Sequence, residues 1–233
     1  MKPRSSRTPA IGLFGGVFDP LHSGHMAVAR AALRKFRLDA IFFIPSGCPP
    51  HKAQSPITPF EHRYAMVVLA CAGEPRFIPS LAEADTSGSG AFSYTIDTVR
   101  RFQSQLAGGS ARLFFITGAD AFLQIATWKD PLALLDSCDF IVAHRPGFPV
   151  NRLADAIPEE LRAQPAPSAR RGRVSKAAAA IPLRRTTVHV LETVSSEVSS
   201  TGIRQRRKHG RSISGLVPRL VEEYIEKQAL YRA

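Results

Sequence analysis

The sequence predicts an α/β protein: a doubly wound, mainly parallel open sheet followed by a small C-terminal helical part. Three observations carry this. Short apolar runs alternate with amphipathic stretches along the chain, and the first run ends in a glycine pair that leads into a helix. The 233 residues, 44% apolar and 21% charged, are enough for one sizeable domain.

The elements follow in order. Residues 10–14 form a short apolar run that reads as a buried strand, and Gly15-Gly16 stop it with two residues free to take positive φ. Over residues 25–36, Met26, Ala29, Ala32 and Leu33 recur at helical spacing with Arg30, Arg34 and Lys35 between them. Residues 40–45 are a second strand, so this opening is a right-handed βαβ unit with parallel strands. The alternation continues with a helix over 59–71, a strand at 77–78, a helix over 94–106, a strand over 112–117 and a helix beginning near Ala119. Strands at 139–143 and 187–191 close the sheet, and two helices, separated near 215–218, occupy the stretch from about 200 onward. No internal repeat is visible.

The formal charge of +12 raises nucleic acid as a partner, and its distribution argues against that. Residues 1–9, 161–185 and 204–211 together hold 15 of the 31 basic groups and no acid, while the remainder is mildly acidic at −3. The excess thus sits in a disordered N-terminal tail (1–9), a basic surface insertion at about 164–185 and one short segment of a single domain spanning 10–233. No apolar stretch approaches a membrane span. Cys48, Cys71 and Cys138 have no CxxC spacing, which argues for a reducing cytoplasm over a disulfide framework.

In a doubly wound sheet the turn after the first strand is the first place to look for chemistry. Here it reads Gly15-Gly16-Val17-Phe18-Asp19-Pro20-Leu21-His22-Ser23-Gly24-His25. Glycines let phosphate oxygens approach the main chain, and a helix start offers N–H groups and partial positive charge. Neither the GxxxxGK[ST] loop nor GxGxxG is present. Two histidines spaced HxGH stand at the helix mouth instead, where both imidazoles can face one phosphate chain.

This turn resembles the signature of the HxGH nucleotidyltransferase superfamily, whose fold is Rossmann-like, and later segments are similar to the bacterial nicotinate-nucleotide adenylyltransferases. Pro49-Pro50-His51-Lys52 resembles that family's PPHK loop, Ser93-Tyr94-Thr95 its SYT segment, and Gly118-Ala119-Asp120 with Trp128 its GxD and Trp positions. Arg145-Pro146-Gly147 also matches, Val198 to Arg204 resembles the ISSTxIR motif, and Leu216-Val217-Pro218 with Tyr224 and Tyr231 resembles the C-terminal end. Val17 stands where the family commonly has Thr, so any hydroxyl contact to phosphate there is absent.

The resemblance implies adenylyl transfer from ATP to nicotinate mononucleotide, giving nicotinate adenine dinucleotide and pyrophosphate in NAD biosynthesis. It implies His22, His25, Lys52 and Arg204 as catalytic, and Gly15, Gly16, Val17, Phe18, Gly24, Asp120, Ser200 and Thr201 as ATP-binding. Tyr94, Thr95, Trp128 and His51 would bind the nicotinate nucleotide. Mg²⁺ is expected with ATP, held mainly by substrate and water, since no carboxylate cluster or metal-ligand spacing is visible. Nicotinamide mononucleotide or phosphopantetheine is the alternative acceptor, and an RNA-binding module using the basic segments is the alternative of another class.

Overall fold

The computed structural model describes residues 7–50, 57–88, 91–106, 111–162, 180–192 and 198–232. The first half runs β1 (Ala10–Gly16), α1 (Ser23–Lys35), β2 (Ala40–Pro45), α2 (Phe60–Cys71), β3 (Phe77–Pro79), α3 (Thr95–Leu106) and β4 (Arg112–Gly118). Two short helices, α4 (Ala119–Phe122) and α5 (Pro131–Ser137), lead to β5 (Asp139–His144) and the single-turn α6 (Asn151–Asp155). The chain then forms β6 (Ala180–Pro182), β7 (Thr187–Glu192), α7 (Ser200–Lys208) and α8 (Arg219–Lys227). Among the described residues no helix is long and apolar enough to cross a membrane.

The seven strands lie in the order β3-β2-β1-β4-β5-β7-β6, parallel throughout except for the antiparallel β6–β7 pair. Strands covered on both faces are apolar almost without interruption, and those of β1, β4 and β5 are of this kind. Side chains alternate between two cores. Phe14, Phe114 and Ile116 meet α1, α2 and α8 through Met26, Leu33, Met66, Val221 and Ile225. Leu13, Leu113 and Phe115 meet α3 and α5 through Ile96, Val99, Phe102, Leu134 and Leu135. Each such side chain, fully buried, contributes roughly 1.5–3 kcal/mol of transfer free energy.

The order reverses between β1 and β4, both central, and the register brings Phe14 level with Phe43 and Ile116. A crevice therefore opens beyond the carboxyl ends of these strands, where such sheets bind ligands.

Three expectations are corrected. Gly15 and Gly16 are extended residues of β1 with no positive φ, and the left-handed residue of the turn is Phe18 at φ 50°. The glycines are needed for room: a Cβ on Gly15 would lie 3.1 Å from the Phe115 ring, and one on Gly16 3.1 Å from the Phe18 ring. Residues 180–182, expected in the surface insertion, form the edge strand β6, and Leu183 beyond it is buried. The apolar signal there is Ile181 and Leu183 alone, hidden between Pro182 and the Arg184-Arg185 pair. Residues 7–9, expected in the tail, are tied down: Arg7 pairs with Asp39 at 2.6 Å and the Pro9 carbonyl accepts from the Arg112 N–H at 2.7 Å.

Candidate active site

The crevice holds a cavity of about 480 Å³, within the range of small-molecule sites. The cavity is lined by Gly15 and Gly16 of β1 with Val17 after them, by Phe115 and Thr117 of β4 with Asp120 of α4, and by Tyr94, Thr95 and Trp128. Trp128 stands edge-on to Phe115 at 6.1 Å, which fixes the indole as a flat wall. Of the residues expected to bind ligand, Gly15, Gly16, Val17, Asp120, Tyr94, Thr95 and Trp128 are thus brought together. Asp120 shares this cavity with the expected nicotinate-binding residues and lies apart from Ser200 and Thr201, the other members of its expected set.

The histidines occupy the other side of the turn. His22 immediately precedes α1 and is buried; its N–H donates to His25 Nδ1 at 3.2 Å, and the two rings stack at 3.7 Å. Since Nδ1 of His25 accepts, its proton resides on Nε2. Burial lowers the His22 pKa to about 4, and burial together with the charge of His22 holds His25 well below the ordinary histidine value. Both rings are therefore neutral at pH 7 and offer N–H groups, not charge. Phe18, expected as an ATP contact, is a core residue: its ring is buried between Phe14, Phe43 and His25. Only its main chain is available to a ligand.

The C-terminal helices close on this turn. Arg204 Nη1 donates to the Asp19 carbonyl at 2.6 Å, Arg204 Nη2 to Thr201 Oγ1 at 3.3 Å, and Ser200 Oγ to the Pro20 carbonyl at 2.9 Å. Ser23 N–H donates to the Leu216 carbonyl at 2.9 Å. Ser199 caps α7 by accepting from Gly202 N–H at 3.1 Å. His51 and Lys52 lie outside the described residues.

Further residues support the site. Arg63 is 2% exposed, and its guanidinium donates to the carbonyls of Ser46 (2.7 Å), Thr58 (2.8 Å), Val17 (2.9 Å) and, more distantly, Gly47 (3.5 Å). Burial lowers its pKa, an effect opposed by the nearby Asp19. Glu83 lines the cavity, accepts from Thr98 Oγ1 at 2.6 Å and from Gly47 N–H at 3.4 Å, and has its pKa raised by burial. A side chain on Gly47 would collide with the Glu83 carbonyl and Thr86 Oγ1. Asp19 is buried and accepts from Tyr231 Oη at 2.6 Å and Thr58 N–H at 3.3 Å. One signal was available for Arg63: it falls on the apolar stripe of α2, with Phe60, Met66, Val67 and Ala70.

A glycine-lined crevice at the switch point of a parallel sheet, joined by one turn to stacked histidines, is the arrangement that the resemblance to the nucleotidyltransferases implies. The family model described as cytidylyltransferase-like matches residues 13–206. A protein of Moorella thermoacetica named "Probable nicotinate-nucleotide adenylyltransferase" is 42% identical over 97% of this chain and 94% of its own. A protein of the same name from Thermus thermophilus is 40% identical over 95% of this chain and 99% of its own. The chain belongs to the nicotinate-nucleotide adenylyltransferases. Its fold is also that of a Plasmodium falciparum nicotinic acid mononucleotide adenylyltransferase solved with NaAD, with TM-score 0.68 and 16% identity over 96% of this chain and 97% of that one.

Proposed function

We propose that the protein transfers the adenylyl group of MgATP to nicotinate mononucleotide, releasing pyrophosphate and forming nicotinate adenine dinucleotide for NAD biosynthesis. The observation that carries this reading is the cavity: a flat aromatic lining, Trp128 and Tyr94, joined through Gly15–Val17 to the histidine-bearing start of α1. A pyridine ring fits the first part and a phosphate chain the second.

In the reaction a phosphate oxygen of nicotinate mononucleotide attacks the α-phosphorus, the bond from that phosphorus to the bridging oxygen breaks, and pyrophosphate leaves with the electron pair. The nucleophile arrives ionised, so alignment and charge stabilisation are the protein's tasks. His25 donates from Nε2–H to the α-phosphate and His22 supports the neighbouring oxygens. Arg204, half-buried at the turn, supplies a permanent positive charge toward the leaving group, with the N–H groups at the start of α7 around Ser200 and Thr201. Asp120 accepts from ribose hydroxyls at the cavity edge, and the Thr95 hydroxyl and Tyr94 ring hold the nicotinate half. Lys52 and His51 keep the roles the family resemblance implies. Mg²⁺ enters as part of MgATP on the phosphates of the substrate; no three His, Cys, Asp or Glu side chains converge to hold a metal among the described residues. The free thiols of Cys48, Cys71 and Cys138 support a place in the cytoplasm.

The test is pyrophosphate release from MgATP with nicotinate mononucleotide, nicotinamide mononucleotide and phosphopantetheine in parallel, with His25→Ala as control. Preference for the nicotinate substrate, lost in the variant, is the expected result. Preference for another acceptor overturns the substrate, and silence with all three overturns the enzyme reading in favour of the basic segments and a polyanion.

A further inference from the structure

The cavity must discriminate two ligands that differ at one group, a carboxylate or a carboxamide on the same pyridine ring. Their shapes are nearly equal, so discrimination rests on charge and hydrogen bonding. The charge inventory of the cavity is unfavourable for an anion: its lining includes the carboxylate of Asp120 and the acid Glu83, whose pKa burial raises. Among the described residues that line it, Lys129 is the one cation. It follows Trp128 directly, and its ammonium lies 4.6 Å from the centroid of the Tyr94 ring, so it sits beside both aromatic walls.

Lys129 is not locked in place. Its Nζ donates to Asp97 Oδ2 at 2.9 Å in a pair that is 41% and 50% exposed, and Asp97 also stands 3.9 Å from Arg100. Exposed pairs of this kind are worth about 0–1 kcal/mol, little enough for an incoming carboxylate to compete for the ammonium. Asp97 retains Arg100 as a second partner when Lys129 turns to the ligand.

Resting on the reading of the site given above, we propose that Lys129 is the specificity-determining residue that selects nicotinate over nicotinamide, supplying the positive charge that meets the ring carboxylate, with Asp97 as its competing partner. The carbonyl of an amide can also accept from this ammonium, but a carboxylate adds the attraction of opposite charges to the hydrogen bond.

The experiment compares kcat/KM for nicotinate mononucleotide and nicotinamide mononucleotide in the wild type, Lys129→Met, Lys129→Arg and Asp97→Asn. Binding is followed independently by quenching of Trp128, the single tryptophan of the chain. Lys129→Met is expected to lose about tenfold in kcat/KM for the nicotinate substrate, chiefly through KM, with the nicotinamide value unchanged. Lys129→Arg restores the preference. Asp97→Asn lowers KM for the nicotinate substrate because the ammonium has lost its competitor, and added salt raises that KM in the wild type more than in Lys129→Met. An acid-to-amide ratio within about twofold of wild type in Lys129→Met, or equal losses with both substrates, would overturn the inference about Lys129 while wild-type turnover of nicotinate mononucleotide left the functional reading standing. A wild type that neither binds nor turns over nicotinate mononucleotide would overturn both.

Discussion

Replacing Arg63 by methionine keeps most of the buried stem and removes the guanidinium. Its three short hydrogen bonds, to Ser46, Thr58 and Val17, join the turn after β1 to the residue that follows β2 and to the residues just before α2. A bond from a charged donor contributes about 1.5–3 kcal/mol, and the three carbonyls would be left without their donor. The variant recovers the cost of burying the cation, whose lowered pKa registers that cost, but leaves the buried Asp19 with the half-buried Arg204 as its neighbouring positive charge. The balance is a loss of about 3–5 kcal/mol, as when one partner of a buried ion pair is removed. Urea unfolding measures it: with a slope of about 2–3 kcal/mol/M the midpoint falls by about 1–2 M at unchanged slope. Arg63→Lys keeps the charge without the planar fork and should lose about half as much. Because Val17 and Ser46 line the cavity, turnover in Arg63→Lys should also fall while the protein stays folded. A midpoint for Arg63→Met within about 0.3 M of wild type would refute the reasoning, since the three carbonyls would then need no donor.

Two further outcomes are expected. The unfolded chain protonates His22 near its ordinary pKa of 6.5 and the folded protein only near 4, so this contribution to stability is complete above pH 6.5 and is lost as the pH falls toward 4. At about 1.4 kcal/mol per pH unit this amounts to roughly 3 kcal/mol, and His22→Asn should flatten that share of the acid loss; equal losses in both proteins between pH 7.5 and 5 would contradict a buried neutral His22. Tyr231→Phe removes the 2.6 Å bond to Asp19 and should cost about 1.5–3 kcal/mol, lowering Tm by about 4–10 °C, so a wild-type melting curve would speak against that bond.

The sheet was legible because buried parallel strands are written as unbroken apolar runs, as in residues 40–45 and 112–117. The strand β6 was not, since three residues on an antiparallel edge have no face to alternate and sit beside two arginines. At the site, His22 and His25 could be named from their local spacing, and Tyr94 and Trp128 from the family resemblance. Asp19 and Tyr231 fell within matched motifs, but the bond between them was not readable, because it joins positions 212 residues apart. Arg63 was readable in principle, as a charge on an apolar stripe, but helix α2 by itself gives no hint that loop carbonyls converge there. The state of the histidines was hidden as well: their neutrality comes from burial, that of His25 against Phe14 and Phe18, and only the folded chain shows it.

The closure of the C-terminal helices on the first turn also orders events in time. A ribosome makes residues 19–23 early, yet the groups that hold them, Ser200, Arg204, Leu216 and Tyr231, are made late. The strands β1 to β5 and α1 are synthesised before these groups, so while they emerge the histidine turn still lacks its outer supports. A nascent chain is therefore a scaffold before it is an enzyme, and ATP meets a finished phosphate site only once residue 231 has been added and released.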